Sequence, residues 1–256
     1  MHEHLYRMDF EADELKDIPK VHVAFLVSSC VAITDITTFL RLFLLAINAP
    51  NFKGGKIDKV VSDYSLTQAL VIQRTLAGKL KEYIYMCEQY QSTCKKRNDD
   101  TLHQFRQKSL QKCTQLKNEP EYDLVDWYRN AVTHHYILNH ISELTNSMQN
   151  GENYSIFMHD RDGNNGFFLG EQILFHKLGI GSKDEIFARV DGFQNWIITA
   201  AKIVQELHHD YWIQFLETFF PDKVAREISI DVPDDMVGKL GITKLPCFWD
   251  FQELMK

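Results

Sequence analysis

The chain has 256 residues, 45% of them hydrophobic and 25% charged, with a formal net charge of −7 at pH 7. That length can bury one large core, or one core with an appended subdomain. The composition has no disorder-like excess, and the acidic balance counts against indiscriminate nucleic-acid binding. The five cysteines, Cys30, Cys87, Cys94, Cys113 and Cys247, are odd in number and form no Cys-x-x-Cys pair. This argues against a disulfide framework and against a cysteine zinc site, and the expectation is a reduced, cytoplasmic chain.

Met1 to Lys20 is polar and acidic, unlike a signal peptide, and Asp9 to Asp17 reads as a short helix or arm ended by Pro19. Val21 to Ile47 is the most apolar stretch, yet His22, Asp35 and Arg41 interrupt it. A buried or dimer-facing helix is therefore expected in preference to a membrane span, bent near Ile33-Thr34-Asp35-Ile36-Thr37-Thr38. Ala49 to Gly55 is a loop by its breakers. Asp63 or Ser65 can then cap an amphipathic helix whose Leu66, Ala69, Leu70, Gln73, Leu76, Ala77, Leu80, Tyr83, Ile84, Cys87 and Tyr90 fall at three- and four-residue steps.

Lys95 to Lys117 concentrates positive charge: it carries +5, so the remainder carries −12. Asp100 is its expected cap and Pro120 its stop. Lys95, Lys96, Arg97, Arg106, Lys108 and Lys112 are candidate phosphate-backbone contacts, with a solvated helix face as the plainer reading. From about Glu121 a helix pattern runs to Met148 through Leu124, Val125, Tyr128, Val132, Ile137, Ile141 and Leu144. Before residue 150 no alternating stretch bounded by turn signals announces a strand.

Tyr154 to Gly170 reads as a loop or short hairpin. Asp160-Arg161-Asp162-Gly163-Asn164-Asn165-Gly166 through Glu171 imitates an EF-hand loop, but Asn165 stands where glycine is usual and no good helix precedes it, so an Asx-rich turn is preferred to calcium. Glu171 to Lys177 and Ser182 to about Phe220 look helical, the latter kinked near Gly192, and the tail from Ile228 has too many Gly and Pro for long helices. Glu206-Leu207-His208-His209 holds one Glu-x-x-His, the half-motif of di-iron bundles, without a second copy; His208 and His209 read as surface residues or secondary RNA contacts. P-loop, Rossmann, nucleophile-elbow and zincin motifs are lacking.

The motif that carries chemistry is Arg129-Asn130-x3-His134-x-Tyr136. A permanent cation, an amide and a near-neutral acid/base fall within about two helical turns, the equipment of phosphodiester chemistry. Asn130 and His134 share one helix face, whereas Arg129 lies about 140° round from His134, so all three converge only at a helix start or across a groove between helices or subunits.

This arrangement resembles the signature of the HEPN superfamily (higher eukaryote and prokaryote nucleotide-binding domains), whose Arg, polar residue and later His stand at the start of a late helix. The likeness covers this helix alone. It implies an all-α fold: a HEPN-like bundle over 1–150, and over 151–256 a loop with C-terminal helices and an irregular tail, packed on the same core or forming one domain with it. It further implies metal-independent endoribonuclease activity without a cofactor, with Arg129, Asn130 and His134 as catalytic residues in a composite homodimer site and RNA as partner. A toxin or phage-defence role goes with it, and Tyr136 matches the tyrosine that a nucleotidyltransferase antitoxin modifies. The alternative is a non-catalytic HEPN-type module that binds nucleotides or proteins.

Overall fold

The computed structural model describes residues 2–48, 59–129, 138–146, 155–158, 165–175, 183–240, 242–243 and 245–246. Among these the chain is all-α save for one two-stranded sheet. In order come β1 (His2–Arg7), α1 (Ala12–Lys16), α2 (Lys20–Ile47), α3 (Lys59–Lys96), α4 (His103–Lys117), α5 (Tyr122–Tyr128), α6 (Leu138–Thr145), α7 (Phe168–Phe175), α8 (Lys183–Phe219) and β2 (Arg226–Asp231).

α3 follows its apolar spacing: Leu76, Ala77, Leu80, Tyr83, Ile84, Cys87, Tyr90 and Cys94 are all buried. It begins at Lys59, ahead of the expected caps Asp63 and Ser65, which lie inside its first turns. α2 passes without a break through Ile33 to Thr38, where Thr34 Oγ1 donates to the Cys30 carbonyl at 2.8 Å and thereby satisfies the hydroxyl without leaving the helix. α8 is likewise continuous at Gly192. α4 starts differently from expectation. Its N-cap is Leu102 in the left-handed region (φ 56°) with no side-chain cap, and it is Asp99 whose carboxylate accepts from the Thr101 N–H at 2.9 Å.

The sheet corrects the sequence reading. β1 and β2 pair antiparallel from His2 opposite Asp231 to Arg7 opposite Arg226. Both strands are almost wholly exposed, so neither has the alternation of a half-buried strand. Cross-strand pairs hold them instead, His2 Nδ1 to Asp231 Oδ1 at 2.9 Å and His4 Nδ1 to Glu227 Oε1 at 2.6 Å.

By packing, the chain forms two units, each assembled from three stretches. The first comprises Met1–Thr37, Lys79–Glu119 and Thr199–Lys239, the second Thr38–Gly78, Pro120–Ile198 and Leu240–Lys256. Each unit draws on residues from both sides of position 150. In the first unit the core is aromatic: Phe25 stacks on Tyr90 with centroids 4.2 Å apart, and Tyr211 meets Phe25 edge-on at 4.7 Å and Phe105 at 5.0 Å. Such pairs add about 0.5–1.5 kcal/mol each beyond their burial. In the second unit Tyr128 of α5 stacks on Phe193 of α8, and Tyr64 of α3 meets Phe168 of α7 edge-on.

By length and composition α2 is apolar enough to cross a membrane. Two of its interrupting polar residues are engaged within the first unit, His22 with Tyr90 and Asp35 with Lys79 at 2.6 Å, while Arg41 is exposed. Phe25, Leu26, Ser29 and Ile36 form its buried face there, while Val27 and Val31 stay exposed.

Candidate functional site

α5 positions the one catalytic candidate that falls among the described residues. Val125 and Tyr128 are buried, and Tyr122 meets Trp196 of α8, so the short helix is anchored along one side. Arg129 follows directly with helical dihedrals (φ −60°, ψ −47°), its N–H donating to the Val125 and Asp126 carbonyls. Its side chain is half-buried. Asn130, His134 and Tyr136 lie outside the described residues. Of the helical run expected from about Glu121 to Met148, Tyr122–Tyr128 (α5) and Leu138–Thr145 (α6) are helical, and the stretch between Arg129 and Leu138 lies outside the described residues.

Beneath Arg129, Tyr128 borders a narrow cleft with Gln73, Arg74 and Glu171. Arg74 Nη1 donates to both Glu171 oxygens at 2.6 and 2.8 Å, and the two side chains are only 14% and 16% exposed. Burial, reinforced by the Glu171 charge, pushes the Tyr128 hydroxyl well above its ordinary pKa, so it stays protonated. This ion pair bears on the EF-hand likeness. Glu171 would have to be the bidentate ligand at the end of that loop, and it is already committed to Arg74. Residues 159–164 of the loop are outside the described residues; its flanks form a bridge between Phe157 and Gly166.

The basic segment separates into three kinds of residue. Lys95, Lys96 and Arg97, where α3 ends, are exposed and form no ion pair among the described residues. Lys108 is paired with Asp210 and Lys117 with Glu88, while Lys112 is half-buried. Arg106 has left the face altogether: it is 2% exposed and its guanidinium donates to the Asp99 carbonyl. Of the candidate phosphate contacts, only the cluster at 95–97 is openly presented. His209 is exposed, whereas His208 is half-buried on α8.

A polar cluster that sequence reading passed over lies inside the first unit. His22 of α2 is fully buried; its Nδ1 lies 2.6 Å from the Tyr90 hydroxyl and its Nε2 3.0 Å from Asp99 Oδ2, while Tyr211 donates to its carbonyl oxygen at 2.8 Å. Cys94, one turn beyond Tyr90 on α3, is fully buried beside them. The chain then reverses through Asn98 in the left-handed region (φ 52°), the Asp99 N–H bonding back to the Cys94 carbonyl at 3.0 Å. Burial pushes the His22 imidazole below its ordinary pKa, with Asp99 pulling it back up. Burial would raise Asp99, but bonds from Thr101 and the His22 interaction outweigh it and hold the carboxyl low. A neutral imidazole therefore faces a carboxylate. The available signal was a histidine within the most apolar stretch, since a buried ring must find polar partners.

No family model, curated protein or solved structure matches the chain.

Proposed function

We propose that the chain is a HEPN-type, metal-independent endoribonuclease serving as a toxin or defence effector and acting as a homodimer. The observation that carries this reading is the motif Arg129-Asn130-x3-His134-x-Tyr136 in an all-α chain, with Arg129 held at the end of an anchored helix. RNA supplies its own nucleophile. His134 takes the proton of the 2′-hydroxyl, whose oxygen forms a bond to phosphorus as the bond to the 5′-oxygen breaks. Arg129 stabilises the charge that develops on the phosphoryl oxygens, and Asn130 orients the linkage. A protonated imidazole returns a proton to the departing 5′-oxygen, leaving a 2′,3′-cyclic phosphate and a 5′-hydroxyl. Two copies supply two Arg and two His around one phosphate. Lys95, Lys96 and Arg97 are suited to contacting RNA phosphates, and Tyr136 is the residue a nucleotidyltransferase antitoxin would modify.

A second reading, a non-catalytic HEPN-type nucleotide- or protein-binding module, is favoured by the engagement of part of the basic segment: Arg106 is buried, and Lys108 and Lys117 are paired with carboxylates. One experiment separates the two. The nuclease cuts RNA in EDTA and leaves 5′-hydroxyl ends, and both Arg129→Ala and His134→Ala slow it by about 10²–10⁴-fold. Binding without cutting selects the module, and cleavage unchanged in both variants removes the assignment of these residues.

A further inference from the structure

We infer that His22 Nε2, Cys94 Sγ and Asp99 Oδ2 form a binding site for one divalent transition-metal ion, zinc before others, inside the first unit. The donor atoms of these three residues all lie within 4.8 Å of one another. Zinc bonds of about 2.0–2.3 Å to nitrogen, oxygen and sulfur place tetrahedral ligand atoms about 3.3–3.7 Å apart, a spacing that falls inside that bound. An imidazole, a thiolate and a carboxylate together suit zinc, whereas calcium and magnesium take oxygen alone. The spacing of the cysteines argues against a site built from several of them, but not against one that uses a single thiolate.

Two features point to an ion at this place. Two of the three donors are oriented by a partner on the far side: Tyr90 holds His22 Nδ1, and the Thr101 N–H holds Asp99 Oδ1 at 2.9 Å. Only Nε2 and Oδ2 are left facing the thiol. Outer partners of this kind fix the tautomer and the aim of metal ligands. The second feature is an orphan. His22 Nε2 is completely buried and, with Asp99 Oδ2 in ion-pair contact at 3.0 Å, makes no hydrogen bond of good geometry. Two ligands sharing one cation have this relation: each lone pair aims at the ion and passes the other atom by. Without a cation, a fully buried ring nitrogen forgoes a well-aligned hydrogen bond.

The nearby Arg106 does not forbid a dication. Its guanidinium is turned to the Asp99 carbonyl and approaches Asp100 at 4.0 Å, and the thiolate and carboxylate together cancel the charge of the ion. Binding would tie α2 to the end of α3 and release a proton from Cys94. The inference is independent of the nuclease reading, whose chemistry proceeds in EDTA.

The test uses the 256-residue chain with Co²⁺ and Zn²⁺ as probes. Co²⁺ gives a thiolate-to-metal absorption band, about one Zn²⁺ per chain survives gel filtration, and Zn²⁺ raises the thermal midpoint. Cys94→Ser abolishes the band while Cys113→Ser keeps it. Tyr90→Phe retains the ring but weakens Zn²⁺ binding by about 10–100-fold, which keeps the question decidable if Cys94→Ser does not fold. A native chain with neither band nor stoichiometric zinc overturns the site, as does undiminished binding in both Cys94→Ser and Tyr90→Phe.

Discussion

His208 shows how one side chain ties stability to pH. Its Nδ1 is buried on α8 and finds no hydrogen-bond partner among the described residues, and burial, with the neighbouring His209 adding to it, lowers its pKa below the ordinary value near 6.5. Above that value both folded and unfolded chains carry a neutral ring and the group contributes no pH dependence. As pH falls below it, the unfolded chain takes up a proton that the folded chain resists, so stability is lost. His208→Leu is therefore expected to narrow the drop in thermal midpoint between about pH 7.5 and pH 5.5; a drop as large as in the parent chain would contradict the assignment. Individual residues were also where sequence was least informative. Arg106 looks like its basic neighbours in one dimension, and only the reversal through Asn98 and Leu102 brings it under the Asp99 carbonyl. His22, Cys94 and Asp99 carry no spacing signature, because packing of α2 against α3 is what joins them.

At the scale of elements, helix periodicity was legible and interruptions were overread. α3 was visible because its buried residues recur at three- and four-residue steps. α2 and α8 run on as helix through the β-branched stretch and through Gly192, since tertiary packing outweighs a local preference of a few tenths of a kcal/mol. β1 escaped notice because a strand exposed on both faces has no apolar alternation to reveal it. The uninterrupted α8 makes Gly192 a stability lever. A Cβ built there would come 2.9 Å from Glu121 Oε1, the far end of a flexible side chain that can swing aside. Relief of the backbone entropy of a mid-helix glycine then dominates, at about 1 kcal/mol. Gly192→Ala should raise the thermal midpoint by about 2–4 °C; a lower midpoint would show that Glu121 cannot yield.

For the whole molecule the governing fact is that each unit is stitched from three separate stretches. The fragments 1–150 and 151–256 should therefore each lack part of both cores and show no cooperative thermal transition by circular dichroism, with β1 separated from its partner β2. A sharp, native-like transition in 1–150 alone would refute this. The all-helical class was legible from the sequence because it rests on repeated local patterns. The interleaving was not, because it arises from pairings such as Tyr211 with His22, 189 positions apart.

That last pairing sets a timetable on the ribosome. At about 5–20 residues per second, some 10–40 s pass between the emergence of His22 and that of the tyrosine that closes over its carbonyl. Throughout that interval the most apolar helix of the protein waits without its final cover, and uncovered apolar surface of that kind is where incomplete chains aggregate.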